Sequence, residues 1–331
     1  MADEVLSNPL PCAAIQEDID DYIDRLNDFY SCKYYQRLHR TIPGKYILTS
    51  SNIDSNYNVG IVSKFNTLSD LQTDKIELYL NPRFGPCCLQ SQYLTESDCL
   101  LVGFDCGAIA LVDCETLSLI EKRIIFHNIV TCLKVSPDEK YCVGGDMSSR
   151  ISILDLEELR STQFYDPAHA SAISDLAYHP KDGRIFVSAA DNEIVLWDMR
   201  SPTPASQIIT TTSLPTSVIF PEPERLVFGT EAGKIVDFDL KSKSCKKNFS
   251  ISDPIGSLEM IKESKYNFNN YKFAVISRRT IKDGGIVTIL NDNLEEMKYL
   301  NFPGKRIGSI FNEKNKLYAV GENKFFQEII L

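Results

Sequence analysis

An all-β, seven-bladed β-propeller is the fold class this chain predicts, on three observations. The first is a period. Val112-Asp113, Leu154-Asp155, Trp197-Asp198 and Phe238-Asp239, each an apolar residue followed by an aspartate, lie 42, 43 and 41 residues apart. A repeat of about 40 to 45 residues is that of a propeller blade. The second is the grammar within the period. Each pair closes a short apolar strand, Ile109 to Val112, Ile151 to Leu154, Ile194 to Trp197 and Ile235 to Phe238. Each strand follows a polar turn, Asp105 to Gly107, Asp146 to Ser149, Asp191-Asn192 and Glu231 to Gly233. The third is the stretch His169 to Ile208, which holds one complete repeat and the only Trp of the chain.

Within that stretch Trp197-Asp198, the turn at Asp191, Ser188 on the strand before it and His169, 28 positions upstream of the Trp, have the arrangement of a WD repeat. The fold class is therefore a seven-bladed WD40 β-propeller. His169, Ser188, Asp191 and Trp197 are expected to form a structural tetrad, hydrogen-bonded from Asp191 to His169, on to Ser188 and on to the indole, tying strand, turn and inter-blade link together. Asp113, Asp155, Asp198 and Asp239 are the blade-end acids, with Asp198 expected to accept from the backbone that follows or to pair with Arg200. An acid–base pair of His169 and Asp191 is the alternative. Burial argues against it, because a tetrad sealed between strands is closed to substrate. His127, 27 residues before Leu154, marks the start of the third blade. That blade lacks the Trp and carries Ser148-Ser149 in place of Asp191-Asn192, so packing must hold it.

The flanks follow in chain order. Residues 1–27 form an acidic leader, and Ile19, Tyr22, Ile23, Leu26 and Tyr30 recur at helical spacing. A short helix over Glu17 to Tyr30 that caps the rim is one expectation, and an irregular leader is the other. Residues 28–331 form the propeller. Tyr46 to Ser50 and Gly60 to Phe65 are expected as inner strands of the first blade, joined by Asn52 to Asn58 and followed by a polar link into Ile76 to Leu80. Ser257 to Met260, Lys272 to Ser277 and Ile286 to Leu290 make the sixth blade. Ile307 to Phe311, Leu317 to Val320 and Phe325 to Ile330 make a seventh that is one strand short. An unpaired strand edge is a liability. Residues around Tyr30 to Tyr35 are therefore expected to supply the missing outer strand and pin the termini together.

Composition narrows the function. With 35 Lys and Arg against 45 Asp and Glu, a net charge of -10 and a pI near 5.0, the surface repels phosphates and favours basic partners, so no direct nucleic-acid binding is expected. Lys241 to Lys247 and Lys305-Arg306 read as solvated loop charge. Ten Cys without a CxxC pair and four His without ligand spacing give no expected metal site, and no motif calls for a cofactor. The chain has no GxSxG elbow, HExxH or glycine-rich nucleotide loop, so no enzyme is expected. An enzyme built on a propeller would need a polar cluster lining the central channel, and none is legible. The longest apolar stretch, Cys99 to Cys114, is broken by Asp105 and Asp113, short of the ~20 apolar residues of a membrane span. The first 24 residues are acidic, so the expectation is a reduced, intracellular protein without a membrane partner.

The segment Trp197 to Ile208, WDMRSPTPASQI, resembles the blade end characteristic of the methylosome protein 50 family, the WD-repeat subunits that accompany the type II protein arginine methyltransferase. Trp197-Asp198-x-Arg200 followed by Pro202, Pro204, Ala205, Ser206, Gln207 and Ile208 is far more selective than a bare WD repeat. The similarity continues through Leu214-Pro215-Thr216-Ser217, Val227 to Asp239 and Lys243-Ser244-Cys245. It is looser at Gly103 to Asp113 and at Val62-Ser63-Lys64. The resemblance implies a non-catalytic adaptor docked on the N-terminal barrel domain of the methyltransferase, in a hetero-octamer of four enzyme and four WD subunits, in cytoplasm and nucleus. It implies the presentation of Arg-rich substrates, such as histone tails and Sm proteins, for symmetric dimethylation. It also implies an aromatic anchor from the first-blade loop, at a position that aligns near Asn58. Tyr57 and Asn58 are therefore the candidate partner-binding residues, with Asn58 a departure from the family's aromatic. A generic WD40 scaffold in another chromatin or ubiquitin-ligase complex is the alternative, the similarity then reflecting shared ancestry.

Overall fold

Strands that alternate with tight polar turns every six or seven residues fold into antiparallel meanders. The computed structural model describes residues 34–54, 57–73, 78–80, 88–201, 203, 206–262, 271–277, 284–313 and 316–329. Blade 1 contains β1 (Tyr34–Arg40), β2 (Tyr46–Asp54), β3 (Tyr57–Phe65) and β4 (Leu78–Leu80). Blade 2 contains β5 (Cys88–Leu94), β6 (Cys99–Phe104), β7 (Ala108–Asp113) and β8 (Leu119–Ile124). Blade 3 contains β9 (Val130–Val135), β10 (Tyr141–Asp146), β11 (Ile151–Asp155) and β12 (Arg160–Tyr165). Blade 4 contains β13 (Asp175–Tyr178), β14 (Ile185–Ala190), β15 (Glu193–Asp198) and β16 (Ser206–Thr210). Blade 5 contains β17 (Pro215–Glu222), β18 (Arg225–Thr230), β19 (Lys234–Asp239) and β20 (Ser244–Ser250). Blade 6 contains β21 (Ile255–Lys262), β22 (Tyr271–Ser277), β23 (Gly285–Leu290) and β24 (Glu296–Phe302). Blade 7 contains β25 (Ile307–Glu313), β26 (Lys316–Gly321) and β27 (Phe325–Ile329). Each sheet pairs its strands in sequence order. The first strands of the seven blades touch one another in cyclic order, β1 closing on β25, so they form the innermost ring of a seven-bladed propeller.

Burial follows position in the blade. β6, CLLVGF, and β23, GIVTIL, are buried at every residue, whereas the outermost β20, SCKKNFS, is exposed along nearly all its length. Middle strands are covered on both faces and read as apolar runs, while outer strands face solvent and read as polar. A charge on a middle strand needs partners. Arg225, which opens the buried β18, donates from Nε and Nη2 to Asp237 at 3.1 and 2.9 Å and from Nη1 to Asp292 at 2.5 Å, linking blade 5 to blade 6.

Blade 1 corrects the sequence reading in three places. Its innermost strand is β1, so Tyr46 to Ser50 and Gly60 to Phe65 lie in the second and third strands. Tyr34 and Tyr35 therefore open blade 1 instead of forming the outer strand of blade 7; Tyr34 only bridges to Glu322 of that blade. Among the described residues blade 7 has three strands, and residues 30–33 of the expected closing strand lie outside the described residues, as does the leader helix at Glu17 to Tyr30. The expected loop Asn52 to Asn58 is the far end of a hairpin, with Ile53 opposite Asn58 and Asp54 opposite Tyr57. The polar link before β4 holds a short helix, α1 (Leu68–Gln72), closed by a capping box between Thr67 and Asp70.

One turn recurs with the period. The residues between the second and third strands at Gly107, Ser149, Asp191 and Gly233, 42 apart each time, have φ of 79, 67, 51 and 78°. This left-handed residue brings its backbone against the segment that leaves the outer strand for the next blade. Ile125 and Phe126 donate N–H to the Gly107 carbonyl, Ala168 donates to Ser149, and Ile251 donates to Gly233. A Cβ on Gly107 would run into the carbonyl of Phe126, and one on Gly233 into that of Ile251. We expect Gly107→Ala and Gly233→Ala each to cost about 2 kcal/mol or more in urea denaturation. Gly304→Ala, at φ 66° with open space around the Cα, should cost only about 1 kcal/mol. Equal costs for all three would remove the blade-crossing contact as the cause.

Candidate functional site

The expected tetrad sits in the gap between blades 3 and 4. Trp197 on β15 stands opposite Phe186 on β14. Its ring meets Phe186, stacked at 6.1 Å, and Tyr165 of blade 3 at 4.3 Å, and the three rings form a triangle. The indole Nε1 donates to Ser188 Oγ at 2.7 Å. The same oxygen lies 2.6 Å from Nε2 of His169, which reaches in from the link between β12 and β13. The three polar groups are buried, and low dielectric strengthens a chain of this kind. Burial holds the His169 pKa below its ordinary value, with Glu193 and Asp191 opposing.

Asp191 departs from its expected role. Its carboxylate accepts from the Ala170 N–H at 2.8 Å, and the acid beside His169 Nδ1 is Glu193, with Oε1 at 3.2 Å. Asp191 occupies the hairpin tip, where its short side chain is taken up by the backbone of the neighbouring link. Glu193 is the first residue of β15, and Glu193, Val195 and Trp197 share one face of that strand at period 2. Counting back by twos from the Trp would have found it.

The blade-end acids close the turns into the outer strands. Asp113 Oδ1 accepts from the Thr116 N–H and Oγ1 at 2.7 Å each, Asp155 from Glu157 and Glu158 N–H at 2.9 and 3.1 Å, and Asp239 from the Ser242 N–H at 2.7 Å. Asp198 accepts the Arg200 N–H at 3.0 Å and takes its guanidinium bidentately, at 2.7 and 2.6 Å. The Thr116 hydroxyl, Arg200 and Lys246 hold Asp113, Asp198 and Asp239 below the usual carboxylate range. His127 is exposed; the buried Phe126 beside it packs blade 2 against blade 3, and Asn128 donates to Ser148 Oγ at 2.9 Å.

The central channel contains the polar cluster that the sequence did not show. Lys134 Nζ lies 3.3 Å from Asp175 Oδ1. Asp175 Oδ2 accepts from Ser217 Oγ at 2.8 Å and the Val218 N–H at 3.0 Å, and Ser217 Oγ accepts from the Leu258 N–H at 3.1 Å. The first strands of blades 3 to 6 are thus stitched into one belt. Glu259 continues it to blade 7 by accepting from the Ile310 backbone; burial raises its pKa while Arg37 and Lys134 oppose. His39 in blade 1 meets Ser91 of blade 2 at 2.9 Å. Burial and the Arg37 charge push the His39 pKa down to about 3. Arg37, His39, Gln92 and Glu259 border a cavity of 380 Å³. Each strand supplies only one or two of these residues, so no local motif announces them.

Tyr57 and Asn58 lie on the distal part of β3, away from both the tetrad and the belt in sequence and pairing. His169, Asp191 and Glu193 are brought together, with one ligand-type atom from each within 4.8 Å of the others. Among the described residues no helix is long and apolar enough to cross a membrane.

The family model described as "WD domain, G-beta repeat" matches residues 121–155 and 160–198. Each matched stretch runs from the outer strand of one blade through three strands of the next. The chain is 31% identical to Methylosome protein WDR77 of Xenopus laevis over 153 residues, 43% of this chain and 45% of that protein. It is 27% identical to Cleavage stimulation factor subunit 50 of Arabidopsis thaliana over 154 residues, 41% and 35% of the two chains. It is 30% identical to WD repeat and FYVE domain-containing protein 1 of Bos taurus over 78 residues, 23% and 19%. The matches span less than half the length of these relatives.

Ser188→Ala removes the oxygen shared by indole and imidazole and leaves two buried groups without it. We expect a loss of about 2 to 3 kcal/mol in stability with the strand arrangement intact by circular dichroism; a loss below about 0.5 kcal/mol would show that the pair is not held in solution. The histidines set a pH dependence. A depressed folded pKa means the unfolded chain takes up a proton near pH 6.5 that the folded one refuses. This contribution is fully present above that pH and is lost as the pH falls toward the folded value, about 3 for His39. The melting temperature should drop from about pH 6.5 to pH 4.5, and the drop should be shallower in His39→Gln. Identical slopes would exclude His39.

Proposed function

We propose that this seven-bladed WD-repeat propeller is a non-catalytic adaptor that binds a type II protein arginine methyltransferase and presents Arg-rich substrates to it. The observation that carries the reading is the 31% identity to a methylosome protein over 43% of the chain, together with the WDMRSPTPASQI blade end. A net charge of -10 suits the capture of basic tails, histone and Sm protein tails among them. Within this reading the propeller meets the enzyme's N-terminal barrel domain through the distal hairpin of β2 and β3, with Tyr57 and Asn58 at the contact. The assembly is a hetero-octamer, and it works in cytoplasm and nucleus. A buried Tyr serves well as an interface anchor, and Asn58 offers less area than the aromatic of the family.

A generic WD scaffold in another assembly, such as a chromatin or ubiquitin-ligase complex, is the second reading. The matches to a cleavage stimulation factor subunit and to a FYVE-domain protein favour it, because they extend the similarity beyond one kind of complex.

Co-purification of the full chain with a type II methyltransferase at low salt tests the first reading. The expected result is a stable complex whose activity on an Arg-rich peptide exceeds that of the enzyme alone, with Tyr57→Ala weakening the complex at least tenfold. Absence of a complex at low salt favours the second reading, and wild-type affinity in Tyr57→Ala moves the contact elsewhere. Binding of the peptide to the propeller should weaken with added salt as exposed charges are screened; a flat response would leave substrate capture to the enzyme.

A further inference from the structure

We propose that His169, Asp191 and Glu193 form a site for a single divalent first-row transition metal of the Zn²⁺ class, at the solvent edge of the gap between blades 3 and 4. The His169 side chain is 0% exposed. Its Nε2 is tied to Ser188, yet its Nδ1 has no hydrogen-bond partner and faces the two carboxylates. Such a nitrogen is costly unless something engages it.

The geometry suits a shared ion better than a direct hydrogen bond. Glu193 Oε1 lies 3.2 Å from Nδ1 without closing a hydrogen bond to it. Two ligands of a tetrahedral ion with bonds of ~2.0 to 2.1 Å are ~3.4 Å apart, and each lies roughly 35° off the other's bond axis. Asp191 completes the set within 4.8 Å while one of its oxygens stays on the Ala170 N–H. The contact from Nε2 through Ser188 to the Trp197 indole fixes the ring orientation as an outer-shell partner of a metal-bound imidazole does. Both carboxylates are only partly buried, which gives the ion an entry path and a water position. One nitrogen and two carboxylate donors suit Zn²⁺ and its neighbours, whereas Ca²⁺ takes six to eight oxygens.

Among the four blades that end in an aspartate, this position is acidic in blade 4 alone. Counting back from the strand that ends in each blade-end aspartate, the residue matching Glu193 is Ala108 in blade 2, Arg150 in blade 3 and Lys234 in blade 5. The repeat does not require an acid there. An ion held by the three groups would staple the β12–β13 link to the tip of the β14–β15 hairpin.

The test uses the full chain, with Zn²⁺ and Co²⁺ as probes. Calorimetry should show a Zn²⁺ site that Glu193→Gln and Asp191→Asn each weaken more than tenfold, and Zn²⁺ should raise the melting temperature of the wild type alone. The Co²⁺ form should show a paramagnetically shifted Nε2–H resonance from a histidine bound through Nδ1, and this readout needs no variant to fold. The proposal is overturned if the wild type binds no Zn²⁺ at micromolar concentration, if both variants bind within twofold of wild type, as they would were the exposed Cys106 and Cys245 the ligands, or if that resonance is missing.

Discussion

A four-stranded blade has two apolar faces and can cover neither by itself. The rest of the molecule depends on neighbours doing so on both sides. Among the described residues the core divides into seven clusters, one for each inter-blade gap. Trp197, Phe186 and Leu176 pack on Val143, Ile153 and Tyr165 between blades 4 and 3. Tyr35, Leu48 and Phe65 pack on Phe311, Tyr318 and Val320 between blades 1 and 7. The last contact makes the array a ring, so no blade is left with a bare apolar face. Close approach is built in at one repeated position, the fifth residue of the second strand, which is Gly103, Gly145, Ala189 and Gly229 in blades 2 to 5. A Cβ at Gly103, Gly145 or Gly229 would come within 2.7 Å of Leu133, Ile173 or Ile255 respectively. Each glycine is a socket for an apolar side chain of the next blade.

Polar groups brought into those gaps must be paired there, and the pairing occurs in layers. Near the axis the Lys134, Asp175, Ser217 and Leu258 belt crosses four blades. Near the middle strands, the turns at Gly107, Ser149, Asn192 and Gly233 offer a carbonyl to the chain entering the next blade. The His169, Ser188 and Trp197 network does the same work in one gap only. Apolar packing alone tolerates sliding between sheets, whereas directed hydrogen bonds at separate radii specify how one blade sits on the next.

What was legible in the sequence was what the repeat enforces. Middle strands such as Ile109 to Val112 and Ile151 to Leu154, their turns and the acids that close them must recur, because each blade meets the same neighbours. β1 is hard to read because YYQRLHR carries no blade-end marker and mixes aromatic with charged residues; its apolar side, Tyr35 and Leu38, packs on the last blade, far away in sequence. Helix α1 is only five residues long and leaves no apolar period. The repeat pattern points to Asp191 and hides Glu193, although strand alternation from Trp197 identifies it. The channel belt was illegible for a topological reason: Arg37, Lys134, Asp175 and Glu259 come from four separate strands and meet only when the ring closes.

Blade 4 shows where individuality can enter such a scaffold. After Asp113, Asp155 and Asp239 the chain reaches a left-handed residue four positions on, Leu117, Leu159 and Lys243. After Asp198 the fourth position is Pro202, whose ring excludes a left-handed φ; Arg200 clamps the aspartate instead, and a proline-bearing segment leads to β16. The turn into an outer strand lies farthest from the gaps that hold the ring together, so it can change without opening the core. The same blade carries Glu193 where its neighbours carry Ala, Arg and Lys. Positions that every blade needs cannot distinguish one propeller from another, since altering them breaks packing before it alters binding. The features that separate this chain from a generic propeller therefore concentrate where the repeat is relaxed.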